Sequence, residues 1–154
     1  MTRSARAPGA AASATASATA ADRARDTALH AGLLFLRVAG SALLLYVHGL
    51  PKVLHYSQEL ARIEDPFRLG AAPTLLLAIL SETVCPLLIA LGVLARLACL
   101  PIVFLLLVAL LVVHREWSIA DGQFGWLLLI LFVTVLIAGP GRFSLSALSQ
   151  GPRP

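Results

Sequence analysis

Ionisable side chains stand in this chain where apolar helices would not be expected to carry them. In Arg37 to Lys52, RVAGSALLLYVHGLPK, a cation opens an apolar run, and a histidine and a second cation close it. Further on, SETVCP sets Glu82 in the middle of another apolar run. A charge at the centre of a bilayer costs about 2.5 to 3.5 kcal/mol on insertion scales, so such residues mark a partner or a functional cavity. Cations and an imidazole can hydrogen-bond an oxygen-bearing ligand, and an imidazole or a carboxylate can move a proton to it. The candidate ligand-binding residues are therefore Arg37, His48, Lys52 and Glu82, with Glu82 and His48 as the candidate catalytic groups.

Spacing supports the grouping. At 100° per residue, Arg37, Ser41, His48 and His55 fall within about 40° of one another, with Gly40 and Lys52 at the edges of the stripe. A polar stripe on a lipid-like helix has to face protein or water. His48 reads equally well as a helix-end histidine bonded to a carbonyl. Cys85 and Cys99 lie about 10 Å and about 6 Å from the same end of adjacent spans, which makes a redox dithiol conceivable. Against this, neither sits in a CxxC or beside a cation that would stabilise a thiolate, and small apolar core residues are the plainer reading. His48, His55 and His114 approach one face without HxxxH or HExxH spacing, so no metal site is expected.

Positioning these groups requires helices that cross a bilayer. Of 154 residues, 58% are apolar and only 13% charged, with a mean hydropathy of +0.86, which excludes an ordinary soluble domain. The net charge of +4 comes largely from arginines outside the apolar runs, and no basic-aromatic patch or finger spacing points to nucleic acid. Two cysteines inside apolar segments make no disulfide framework. The expected partner is the lipid bilayer.

The expected fold is all-α: an integral membrane four-helix bundle with a short interfacial segment between helices 1 and 2. Residues 1–27, rich in Ala, Ser and Thr, read as a disordered tail. A cleaved secretory signal is not expected, because Arg37 interrupts the apolar core and no A-x-A-like site closes it; an organelle transit peptide stays open. The membrane domain covers 28–146. Its first span is 29–50, bent or ended by Pro51. Residues 52–72, broken at Asp65-Pro66, form the interfacial piece. The second and third spans are 73–92 and 97–114, and the fourth begins at Phe124 or Trp126 and stops at Gly139-Pro140-Gly141. A flexible tail, 147–154, follows.

With four spans both termini share a side, and that side collects seven arginines against four cations on the other, so the positive-inside rule places both termini in the cytoplasm. Arg37 would then lie about 12 Å and Glu82 about 15 Å from the cytoplasmic end. Opposite charges at equal depth on antiparallel neighbours predict an Arg37–Glu82 contact. Such a contact either locks two helices or lines a polar cavity opening outward through His48 and Lys52.

The order of these motifs resembles the DoxX family of small four-helix membrane proteins. LRVAGSALLLYVHGLPK, with Arg37, Gly40, His48, Gly49 and Lys52, is similar to its opening motif. SETVCPLLIALGVLARLA supplies the membrane glutamate at Glu82 and the turn at Leu91, Gly92 and Arg96. AGPGRFSL, Ala138 to Leu145, resembles its Gly-Pro-Gly end. Coverage is about residues 29–146. At the start of the fourth span this chain has Gln123 where many relatives carry an acid. The resemblance implies a bundle in the bacterial cytoplasmic membrane and an association with thiosulfate- or thiol-to-quinone oxidoreduction, with quinone as the implied cofactor and a soluble or membrane redox protein as partner.

Three functions follow, in this order. The first is a membrane subunit of a redox system, in which Arg37, His48 and Lys52 hydrogen-bond quinone oxygens and Glu82 handles protons. The second is a non-catalytic scaffold or assembly factor whose buried polar pairs only fix the bundle. The third is a carrier for a small solute or proton, whose short length would call for a homo-oligomer.

Overall fold

The fold is given by a computed structural model that describes residues 8–149, with side chains described from 17 to 147. The described residues form helices and turns and contain no strand. Helix α1 (Pro8–Leu44) continues through a π-helical turn at Leu45–Gly49 into α2 (Leu50–Leu54), and α3 (Tyr56–Leu60) follows. After a loop come α4 (Ala71–Ile79), a second π-turn at Leu80–Val84 and α5 (Cys85–Leu91). Next are α6 (Ala95–Val108), a third π-turn at Ala109–Val113, α7 (Gln123–Ala138) and α8 (Leu145–Ser149).

Three helical rods among the described residues are long and apolar enough to cross a membrane: Ser17–Leu54, Ala71–Leu91 and Ala95–Val113. Gln123–Ala138 is equally apolar in character but shorter. The packing closes a ring, α1 on α5, α5 on α6, α6 on α7 and α7 on α1. Inside it lies a core that includes Leu44, Cys85, Ile89, Cys99, Ile102 and Phe132. The outward faces keep large apolar side chains exposed, Phe35, Tyr46, Leu77 and Phe104 among them, as expected of helices solvated by lipid.

Local physics accounts for two features that the apolar pattern did not show. Helix begins at Pro8, within the segment expected to be disordered. Proline suits a helix start, where its missing N–H costs nothing, and the alanines that follow are the best helix formers. Residues 1–7 and 150–154 lie outside the described residues, and α8 runs into the expected C-terminal tail. Pro51, in turn, does not end the first rod, which continues to Leu54. The π-turn is the reason: the Leu50 N–H bonds back five residues to the Leu45 carbonyl. The extra residue in the turn gives the next residue's ring room where an α-turn would clash. The second rod repeats the device, with the Cys85 N–H on the Leu80 carbonyl and Pro86 directly after.

The ends are tied by backbone chemistry. Gly92, left-handed at φ 73°, closes α5 with its N–H on the Ile89 carbonyl while the Val93 N–H reaches Leu88 at 2.9 Å, a Schellman closure. At the same end Arg142 pairs with Asp26 at 2.6 Å and its N–H donates to His30 Nδ1 at 3.3 Å. The loop before α4 is held by Asp65, whose carboxylate accepts from the Leu69 N–H (2.9 Å), the Gly70 N–H (2.6 Å) and the Thr74 hydroxyl (3.0 Å).

Partial desolvation pushes the Asp65 carboxyl up, but donors from Gly70, Leu69, Thr74 and Arg68 outweigh it and hold the group below its ordinary range. A carboxyl lowered by folding adds stability above its unfolded pKa and loses it as pH falls through the folded value. Amide exchange at Leu69 and Gly70, corrected for intrinsic rates, should therefore be slow at neutral pH and quicken only in acid below the usual carboxylate range. Asp65→Ala should make it fast throughout.

Candidate functional site

The first two π-turns face each other. Gly49 is buried, and a Cβ there would overlap the backbone carbonyl of Glu82 and come within 2.9 Å of Thr83 Oγ1. The two rods thus touch backbone to backbone, an approach that only glycine permits. Lys52, three residues beyond, is carried over Glu82. Its Nζ lies 2.5 Å from Glu82 Oε2, with the two side chains only 14% and 7% exposed. Distance makes this an ion pair, although Glu82 Oε2 has no hydrogen bond of good geometry. Lys52 Nζ also donates to the His48 carbonyl at 3.5 Å. The His48 ring, half-buried, stacks on Phe124 of α7 at 5.7 Å between centroids and 26° between planes.

Arg37 does not join this group. No ion pair links it to Glu82, contrary to the depth argument; its Nη2 donates instead to the Phe143 carbonyl. The guanidinium lies against Gly92, where a Cβ would overlap Nη1 and sit 2.5 Å from Ser144 Cβ. Side-chain direction explains the difference. On a helix every Cα–Cβ bond leans toward the N-terminus. Arg37 is thereby aimed at the Gly92 end of the bundle, while Lys52, at the far end of the same rod, is aimed inward onto Glu82. At its own end the Arg37 guanidinium is held by the Phe143 carbonyl of the loop before α8, beside Gly92 at the C-terminal end of α5, where a helix dipole favours a cation. Arg96 acts likewise, donating to the Ile137 carbonyl at 3.2 Å. Arg37 Nε and Nη1 and Ser41 Oγ are buried without partners.

The Lys52–Glu82 pair borders a cavity of about 730 Å³. Leu44, Ala78, Leu106 and Leu128 form its apolar depth, His48 and Phe124 an aromatic wall, and Glu59, Arg62, His114, Trp117 and Asp121 a polar rim. His114 stacks on Trp117 at 3.8 Å, helping to shape that rim. Asp121 is held below the ordinary carboxylate range by the Ser118 hydroxyl and backbone N–H, which outweigh a smaller desolvation effect. Such an arrangement, a mostly apolar slot with a few convergent polar groups, suits a ring-bearing amphiphile.

The remaining candidates sit elsewhere. Cys85 and Cys99 are free thiols, 6% and 0% exposed within the core, and neither borders the cavity. His55 and Gln123 are exposed. Among the described residues no group of three His, Cys, Asp or Glu side chains stands close enough to hold a metal. Phe124 was not flagged by sequence reasoning, because an aromatic in an apolar helix carries no signal of its own. The two π-turns did leave one: each is followed by a residue and then a proline, Leu50-Pro51 and Cys85-Pro86.

The family whose sequence profile matches the chain is DoxX, over residues 32–115, more than half of its length. No curated protein and no solved structure matches.

Two substitution pairs test the site's construction by thermal unfolding in mild detergent. Lys52→Met leaves a buried carboxylate alone and should cost about 3 to 5 kcal/mol. Lys52→Met/Glu82→Gln should recover part of that. Gly49→Ala should cost about 1 to 3 kcal/mol by overpacking. Gly32→Ala, with nothing within 4 Å of the new Cβ, should be neutral or stabilise by about 0.5 to 1 kcal/mol.

Proposed function

The chain belongs to the DoxX family, and from that premise we propose that it is the quinone-binding membrane subunit of a thiol- or thiosulfate-to-quinone redox system. One observation carries the reading: the buried Lys52–Glu82 pair borders a largely apolar cavity of about 730 Å³. A scaffold has no need of a cavity beside its ion pair. Gln123–Ala138 is taken as the fourth crossing, completing a four-span bundle in the bacterial cytoplasmic membrane with both termini inside.

The residues fit a quinone on chemical grounds. Phe124 and the His48 ring offer an aromatic face, the Lys52 ammonium offers a charged donor to a carbonyl oxygen, and Glu82 is an acid beside it. Reduction of a bound quinone to its quinol takes two electrons and two protons, which two thiols supply in joining as a disulfide. Since Cys85 and Cys99 do not border the cavity, a partner protein supplies the electrons. In this chain Lys52 orients the ligand oxygen, Glu82 holds and passes a proton, and the apolar depth excludes water from the ring. Arg37 is assigned a structural role at the opposite end.

The second reading, a membrane scaffold, draws on the same pair, because Lys52 and Glu82 also fasten the first two rods together. Mass spectrometry of what co-purifies with gently solubilised protein separates the two. Quinone retained by the wild type and reduced about tenfold or more in Glu82→Gln, a loss of about 1.4 kcal/mol in affinity, is the expected result. No quinone in either protein, with a stable protein partner in both, would establish the scaffold.

A further inference from the structure

One wall of the cavity is made of residues that are also on the outer surface of the bundle. Leu77 of α4, Phe104 of α6 and Phe67 of the preceding loop all border the cavity, yet they are 53%, 61% and 53% exposed. The reason is a divergence of two rods. From the turn at Gly92, α5 packs closely against α6, whereas α4, beyond the π-turn at Leu80–Val84, makes no comparable contact with α6. A π-turn next to a proline is a common cause of such a change in helix direction. The gap left between α4 and α6 leads from the lipid-facing surface to the Lys52–Glu82 pair.

A single aromatic contact crosses that gap. The Phe67 ring stacks on Phe104 with centroids 6.2 Å apart and planes at 16°. Phe67 lies on the loop that Asp65 fastens to the start of α4 through Leu69, Gly70 and Thr74. Arg68, at φ 54°, and Gly70, at φ 99°, are both left-handed in that loop. One side of the contact is therefore set by a tightly turned, anchored loop and the other by a helix. The contact itself is a solvent- or lipid-exposed ring pair, with little burial behind it. It is weak enough to be parted by an apolar chain that replaces it.

We propose that this gap admits a membrane-dissolved ligand, whose apolar tail lies between α4 and α6 against Phe67 and Phe104 while its polar head meets Lys52 and Glu82. The proposal rests on the cavity being the ligand site and adds the ligand's class and source: a tailed amphiphile taken from the bilayer rather than a solute taken from water. The alternative way in is the polar rim at His114, Trp117 and Asp121, which bears charges that a hydrocarbon tail avoids. Phe67 and Phe104 are then the residues that select for a tail.

The test uses the full chain in liposomes, carrying Phe67→Cys and Phe104→Cys in a Cys85→Ala/Cys99→Ala background. A short thiol-to-thiol crosslinker is added or withheld. The probes are a benzoquinone with a decyl tail and the same ring without one, and binding is followed by quenching of tryptophan fluorescence, since Trp117 borders the cavity. Crosslinking should slow binding of the tailed probe about tenfold or more, within the one to three decades over which association at one site varies. It should leave the tail-less probe unchanged. Equal slowing of both probes, or of neither, would overturn the lateral route while leaving the cavity reading intact. Binding of neither probe by the unsubstituted chain, in a protein that is folded by circular dichroism, would overturn both.

Discussion

A carboxylate in the middle of an apolar helix cannot be left alone, and the arrangement of the first two rods follows from meeting that demand. Glu82 is 5% exposed and Lys52 is the cation that reaches it. The reach requires close helices, and close helices require Gly49, whose missing side chain is filled by the Glu82 backbone. The π-turns serve the same end. They let each rod continue past a proline and bring two widened turns face to face, where the Glu82 carboxylate meets the Lys52 ammonium and His48 borders the same cavity. A site assembled from strained or irregular turns is a familiar property of functional helices.

The opposite end of the bundle solves a different problem with the same currency of charge. There the helices stop, and their last carbonyls need donors. Arg96 supplies one on Ile137, near the end of α7, and Arg37 holds the Phe143 carbonyl of the loop that follows; glycines at 92, 139 and 141, all with positive φ, turn the chain at this end. One end is thus closed by cations on backbone and the other holds a pair of side-chain charges beside a cavity. The division gives the molecule one end closed on backbone carbonyls and one end that borders the cavity.

The sequence made much of this legible. Spans are visible because apolar runs of membrane length are rare elsewhere, and the four buried or half-buried polar residues were picked out by the cost of placing them in lipid. What was not legible was which of them would meet. Depth along the helix axis matched Arg37 to Glu82, but a long side chain adds several ångströms in the direction its helix dictates. That displacement carries Arg37 away from Glu82 and Lys52 toward it. The disorder expected before residue 28 rested on low hydrophobicity, whereas the alanines there favour helix locally, and α1 runs on through them from Pro8.

By itself, then, the sequence determined the helical class, the apolar rods and the identity of the polar groups, because these depend on composition and on periodicity along one element. Only the tertiary structure decided the pairing of Lys52 with Glu82, the stacking of His48 on Phe124 and the gap beside Phe67 and Phe104. Each of those depends on the angle and separation between rods, and these are set by π-turns and by one glycine contact whose consequences appear only when two helices pack.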